Sequence, residues 1–106
     1  MDTIFCVTGE KMTVYLEHDI DHHNSQQIRA QIDTKINDIH PHTLVLNFGG
    51  VEFMDSSGIG LILGRSKLMS EIGGEVVIDG LTENLKKLID ISGLAKIVLI
   101  NEETTK

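Results

Sequence analysis

The chain has 106 residues, enough for one hydrophobic core and too few for two, so we expect a single domain over residues 1–106. Hydrophobic residues make up 41% and charged residues 24%, which is typical of folded rather than disordered chains. The formal net charge is −7. This charge argues against nucleic acid or an anionic membrane as the main partner, because both require clustered Lys and Arg.

No disulfide or targeting signal is evident. Cys6 is the one cysteine, so neither a disulfide framework nor a cysteine metal site is expected. The N-terminal residues lack a basic region followed by a long apolar run, and the apolar stretches Ile59–Leu63 and Ile97–Ile100 are too short to cross a bilayer. We therefore expect a cytoplasmic protein.

The first forty residues predict a hairpin followed by a helix. The β-rich runs Thr3–Val7 and Met12–Leu16 flank a short polar turn. An acidic loop with three His side chains follows, and Asn24 or Ser25 can cap the next helix, which Pro41 ends. The apolar face of this helix comprises Ile28, Ile32, Ile36 and Ile39.

The remaining residues alternate between strands and helices. A nearly continuous apolar run at Thr43–Phe48 predicts a strand covered on both faces, and two later strands are expected at Glu75–Asp79 and Lys96–Ile100. Between them, one helix ends at Gly73 and another ends at Gly93. The inward residues of the two helices are expected to be Ile59, Ile62, Leu63, Ser66 and Met69 in the first, and Leu85, Leu88 and Ile89 after a Thr82 cap in the second.

The order β-β-α-β-α-β-α-β indicates an α/β domain. We expect a mixed sheet of four to five strands, in which an N-terminal antiparallel hairpin joins parallel βαβ units and the helices pack on the sheet.

The segment between the third strand and its helix is the most informative one. Ser56 and Ser57 stand where a helix N-cap belongs, which is the structural interpretation of both. The functional interpretation is that one serine is exposed and modified. A phosphate would add about −1.5 to −2 charges, and Asp55 would repel it, so modification could act as a switch.

Three glycines lie at the start of the same helix or inside it. Each costs roughly 1 kcal/mol relative to Ala in a helix interior. We assign Gly64 to close packing of the helix on the sheet. Gly58 and Gly60 would leave a bare backbone surface that another molecule can approach closely.

Catalytic and metal motifs are weak. Residues 54–58 do not form the Gly-x-Ser-x-Gly elbow of hydrolases, and no motif positions a His as base. No phosphate-binding loop or dinucleotide fingerprint is present. The spacing of the acidic and His residues in the loop matches no zinc pattern, so we predict no metal site there: His18, Asp19, Asp21, His22 and His23.

Val51–Arg65 resembles the signature of bacterial anti-sigma factor antagonists, the single-domain members of the STAS family. Asp19–His23 resembles the acidic turn after the family's second strand, and its Asp-His-His form is similar to the sporulation branch, the antagonists of anti-sigma F factors. Gly73–Ile78 and Leu88–Ile97 resemble the family's next strand and late helix. The likeness covers nearly the whole chain in the right order.

This resemblance implies a regulatory protein that is not an enzyme and needs no cofactor. Ser56 corresponds to the family's phosphorylated serine. The unmodified form would bind an anti-sigma factor that is also an ATP-dependent serine kinase, and so release the sigma factor. Phosphorylation by that kinase would break the complex, and a serine phosphatase would reverse the modification.

The resemblance also implies a set of partner-binding residues around Ser56. These are Asp19, Asp21, Asp55, Ser57, Gly58 and Gly60. Two departures stand out: His18 replaces the family's usual glycine, so we expect an altered turn, and the sequence stops at Lys106, where the family's final helix would be short or missing. We expect a monomer.

Other functions stay open at this point. The chain could be an antagonist in a general stress sigma pathway, which pairwise binding would distinguish. It could also be a STAS-like module that binds a nucleotide near Ser56, or a hydrolase that uses Ser56.

Overall fold

The computed structural model describes residues 3–101. Its strands are β1 (Ile4–Thr8), β2 (Lys11–Tyr15), β3 (Thr43–Asn47), β4 (Glu75–Asp79) and β5 (Leu99–Ile100). Its helices are α1 (His22–Ile39), α2 (Ser56–Glu71) and α3 (Glu83–Ser92), and a 3-10 turn at Leu94–Lys96 precedes β5.

The five strands form one sheet in the order β1-β2-β3-β4-β5. β1 and β2 are antiparallel and every other pair is parallel, which confirms the predicted mixed sheet. Tyr15 pairs with Asn47 and Asn47 with Asp79. The carboxyl ends of β2, β3 and β4 therefore lie side by side, at the edge where parallel sheets present their functional loops.

The helices pack on one face of the sheet. A single core cluster joins the inward residues of β2, β3 and β4 with buried residues from all three helices. On the opposite face, Val45 is buried but its register neighbours Thr13 and Val77 are half-buried, and Leu99 is exposed. The prediction that both faces of β3 are covered is confirmed at the centre of the strand, where Leu44, Val45 and Leu46 are all buried, although Val45 lies outside the core cluster.

The start of α1 differs from the prediction. Neither Asn24 nor Ser25 is the N-cap; Asp21 is, and His22 and His23 belong to the helix. Asp21 accepts hydrogen bonds from the backbone of His23 and Asn24, while the Asn24 side chain accepts one from the Asp21 backbone. This reciprocal capping box satisfies amides that the helix leaves free, which moves its start to residue 22.

The apolar faces of the helices are mostly as predicted. Ile28, Ile32 and Ile36 are buried, but Ile39, the last residue of α1, is 40% exposed. In α3, Leu85 and Ile89 are buried and Leu88 is half-buried, and Gly93 ends the helix with a positive φ of 81°.

The last strand, β5, is shorter than predicted. Residues from Lys96 onward were expected to form a strand, but Lys96 ends a 3-10 turn and β5 contains two residues. The expected loss of the family's final helix falls on residues 102–106, which lie outside the described residues.

Candidate functional site

Two loops lie against each other at the carboxyl edge of the sheet. We call residues 16–21 and 48–55 the paired loops. Gly50 N donates to Leu16 O at 3.1 Å. Farther along, Ile20 N donates to Phe53 O and Asp55 N donates to Ile20 O, each at 3.2 Å, so residues 20 and 54 form a parallel bridge. The acidic turn and the start of α2, which are far apart in sequence, are thereby held together.

Gly50 permits the closest approach between the paired loops. A Cβ on Gly50 would lie 2.5 Å from the Cα of Glu17 and 2.8 Å from its carbonyl carbon. Backbone atoms cannot swing aside as a flexible side chain can, so a larger residue would push the loops apart. This role cannot be predicted from the sequence, because a double glycine after a strand is usually a turn.

Asp19 links the paired loops through its carboxylate. Its Oδ1 accepts hydrogen bonds from Glu52 N at 2.9 Å and Phe53 N at 3.0 Å. These two bonds, the one from Glu52 first, hold the pKa of Asp19 below its ordinary value of 3.8, and His18 lowers it further. One oxygen of this predicted docking residue is therefore engaged within the domain.

Asp21 also has an internal role, as the N-cap of α1. The Asn24 side chain, which completes that cap, also donates to Asp19 O at 2.7 Å. His18 does not strain the turn: within residues 3–101, His40 is the one non-glycine residue with a positive φ. The expected alteration of the turn by His18 therefore does not involve a left-handed backbone.

The N-terminus of α2 is capped by Asp55. Its Oδ1 accepts a hydrogen bond from Ser57 N at 2.7 Å, so the prediction that a serine is the cap is wrong. Ser56 is the first residue of the helix and is exposed. Its hydroxyl makes no hydrogen bond to any residue between 3 and 101. Because Asp55 caps the helix, the Ser56 hydroxyl is not needed as a cap.

The α2 glycines divide differently from the prediction. Gly58 is buried, and a Cβ there would lie 2.5 Å from Sδ of Met54, so it does not present bare backbone. Gly60 is exposed with nothing within 4 Å of its Cβ direction, as predicted. Gly64 has the same open surroundings, so close packing on the sheet does not explain it.

The buried face of α2 is rotated slightly from the predicted one. Leu63 is 51% exposed, whereas Leu61 and Arg65 are buried. Arg65 Nε lies 2.8 Å from Oδ1 of Asp33 on α1. This contact is an ion pair but does not have the geometry of a hydrogen bond. Arg65 Nη1 has no hydrogen-bond partner in residues 3–101. Burial lowers the pKa of Arg65, and Asp33 partly restores it.

A shallow groove separates the N-terminal halves of α1 and α2, beside the serines. Four of its lining residues come from α1 and three from α2: His22, Ser25, Gln26, Arg29, Ser57, Gly60 and Leu61. The structure therefore brings Ser57 and Gly60 to one concave surface, while Ser56 lies outside its lining.

The paired loops are strongly acidic. They contain Glu17, Asp19, Asp21, Glu52 and Asp55 and no Lys or Arg. In the described part of the chain, no group of three or more His, Cys, Asp or Glu residues could hold a metal ion. Across the same residues, no helix has the length and apolar character needed to span a membrane.

A family model for the STAS domain matches residues 6–106. The chain belongs to the STAS domain family. Among STAS relatives, an anti-sigma F factor antagonist of Paenibacillus polymyxa is 40% identical over 89 residues, which cover 84% of this chain and 76% of the relative. An anti-sigma-B factor antagonist of Staphylococcus epidermidis is 35% identical over 63 residues, covering 59% and 58% respectively.

Solved STAS structures agree with the fold. The anti-sigma factor antagonist SpoIIAA in its unphosphorylated form is 29% identical, with a TM-score of 0.75 over 95% of this chain and 88% of that one. SpoIIAA from Bacillus in the phosphorylated form is 34% identical, with a TM-score of 0.69 over 96% and 94%. The resemblance inferred from Val51–Arg65 is therefore confirmed at the level of the family.

Proposed function

We propose that this STAS domain is an anti-sigma factor antagonist controlled by phosphorylation of Ser56. The observation that carries the proposal is the exposed hydroxyl of Ser56, which no described residue engages, at the first position of α2. The likeness to SpoIIAA, known in unphosphorylated and phosphorylated forms, supports control of this fold by phosphorylation.

In this proposal the unmodified protein binds an anti-sigma factor that is also a serine kinase, and sigma factor is released. Oγ of Ser56 attacks the γ-phosphorus of ATP, the bond from that phosphorus to the β,γ-bridging oxygen breaks, and ADP leaves. The hydroxyl proton passes to a base of the kinase. A phosphatase hydrolyses the phosphoserine and restores the first state. The domain itself catalyses nothing and needs no cofactor, and it acts in the cytoplasm.

Charge explains how one phosphate could break the complex. The phosphate adds about −1.5 to −2 charges at neutral pH. It would join a surface where the paired loops already place five acidic residues and no Lys or Arg. Desolvating the added charge in an interface without a matching Arg costs several kcal/mol, and each 1.4 kcal/mol lowers affinity about tenfold. A loss of about a hundredfold or more is expected.

Calorimetry with the anti-sigma factor of the same bacterium tests the proposal. The wild type and Ser56→Ala should bind, and Ser56→Glu should bind about a hundredfold more weakly. Ser70→Glu is the matched control, because Ser70 is exposed at the far end of the same helix. Equal binding by Ser56→Glu and the wild type would contradict the proposal.

A second candidate partner is an anti-sigma-B factor, because the chain is also similar to an anti-sigma-B factor antagonist. The anti-sigma-B factor antagonist matches a shorter part of the chain than the anti-sigma F antagonist does, 59% against 84%. We therefore propose the anti-sigma F type of partner first. Binding measured side by side against both kinds of anti-sigma factor decides between them.

A further inference from the structure

Phe53 is the most exposed aromatic residue of the protein. The chain has three Phe and one Tyr, and Phe53 is 64% exposed whereas Phe48 is fully buried and Tyr15 is 38% exposed. Leaving a large apolar ring in water forgoes roughly 1.5–3 kcal/mol of burial free energy. Ile91 is more exposed still, at 85%, but it lies on α3, whereas Phe53 lies on the paired loops, three residues before Ser56.

The backbone of Phe53 is held from both sides. Its N–H donates to Oδ1 of Asp19 at 3.0 Å, and its carbonyl accepts from Ile20 N at 3.2 Å. The flanking residues Val51 and Met54 are 1% and 2% exposed, so they anchor the segment in the core. The ring therefore projects from a fixed support, and binding through it would lose little conformational entropy.

The surroundings of Phe53 define the chemistry of a partner. Its direct neighbour Glu52 is exposed, and the paired loops around it carry acids without a Lys or Arg. An exposed aromatic side chain on a pair of loops rich in acids has the layout of an interface with an apolar centre and a polar rim. The complementary surface is an apolar pocket bordered by Lys or Arg.

We propose that Phe53 is the anchor of the docking surface, and that it enters an apolar pocket with a basic rim on the anti-sigma factor. This inference rests on the proposed function and adds a residue and a partner chemistry to it. Phe53 precedes Ser56 by three residues, so the anchor would hold the kinase next to the phosphoacceptor. Asp19 acts as a positioning residue, through the backbone of Phe53.

Calorimetric titration of the anti-sigma factor with four forms of the protein tests the anchor. Phe53→Ala should weaken binding about thirtyfold, as truncation of an interface hot spot does, and Phe53→Leu should fall between it and the wild type. Ile91→Ala is the control, since Ile91 is 85% exposed on α3, and its affinity should stay within about threefold of the wild type. Thermal unfolding of each variant checks the fold.

Phosphorylation kinetics supply a second measurement. An anchor binds substrate and transition state equally, so Phe53→Ala should raise KM for phosphorylation by the kinase and leave kcat nearly unchanged. Wild-type affinity in Phe53→Ala would overturn the anchor and leave the proposed function standing. Failure of the wild type to bind would overturn both. A wild-type dimer that Phe53→Ala dissociates in sedimentation would show that a second copy occupies the surface, and would also overturn the anchor.

Discussion

Alanine at the glycines of α2 should change stability in two directions. A Cβ at Gly60 or Gly64 has nothing within 4 Å, so neither substitution meets a steric obstacle. Ala is favoured over Gly in a helix interior by about 0.8–1 kcal/mol. Gly60→Ala and Gly64→Ala should therefore each raise the free energy of unfolding by roughly that amount, and the midpoint temperature by about 4 °C.

Gly58 should behave in the opposite way. A Cβ there would lie 2.5 Å from Sδ and 2.9 Å from Cβ of Met54. Met54 is 2% exposed, so it cannot move its side chain into solvent, and the overlap must be relieved by shifting α2 or the preceding loop. Overpacking of this kind costs typically about 1–3 kcal/mol, more than the helix propensity of Ala returns. We expect a net loss of up to about 2 kcal/mol.

Urea unfolding followed by circular dichroism measures all three values, and anti-sigma factor binding adds the functional comparison. If Gly60 lies on the docking surface, Gly60→Ala will be more stable than the wild type and will bind more weakly, while Gly64→Ala will be more stable and bind normally. A destabilised Gly60→Ala or Gly64→Ala, or a Gly58→Ala as stable as the wild type, would refute the packing argument.

Asp19→Asn should reduce the loss of stability in acid. The folded-state pKa of Asp19 lies below 3.8, so the stability that its charge contributes is present above pH 3.8 and is lost as the pH falls through the lowered pKa. Unfolding measured at pH 7 and below pH 4 should therefore show a smaller drop in the free energy of unfolding for Asp19→Asn than for the wild type. Asp33→Ala leaves buried Arg65 unpaired and should cost about 1–3 kcal/mol in denaturant unfolding, whereas Arg65→Met should cost less; the reverse order would contradict the charge argument. Gly50→Ala should cost about 1–3 kcal/mol, because its Cβ meets backbone atoms of Glu17, and an unchanged midpoint would show that the paired loops can separate freely.

Local signals allowed most of the fold to be predicted. Alternating β-rich runs, the spacing of Ile28, Ile32 and Ile36, and the Gly93 stop all depend on neighbours a few residues away. They gave the order of the elements and the mixed sheet. The start of α1 was misplaced because Asp21, Asn24 and Ser25 all have good capping side chains, and spacing alone does not choose between them.

Contacts between distant segments could not be predicted in this way. Asp19 binds amides 33 and 34 residues away, and Gly50 closes against Glu17. From the sequence, Asp19 is expected to be a solvated acid and Gly50 has no predicted role. The contacts of both residues form only when the paired loops meet. The pairing of Arg65 with Asp33 was missed for the same reason, since a charged residue within an apolar helix pattern is usually solvated.

The candidate site was predicted in location and partly misread in detail. Ser56 and Asp55 lie where the resemblance placed them, but the cap is Asp55 and not a serine, which is what leaves Ser56 available. The prediction that Gly58 is bare surface is wrong because the sequence does not reveal that the Met54 side chain lies against it. Phosphorylation of Ser56 stays a prediction, and so do the partner-binding roles of Asp19, Asp21, Asp55, Ser57, Gly58 and Gly60.

Peptide mass spectrometry after incubation with the anti-sigma factor kinase and ATP tests the phosphorylation of Ser56 most directly. We expect one phosphate on the peptide that contains Ser56, absent from Ser56→Ala and retained in Ser57→Ala. A kinase that binds the protein and transfers no phosphate, or transfers it to Ser57, would contradict the assignment of Ser56 as the switch.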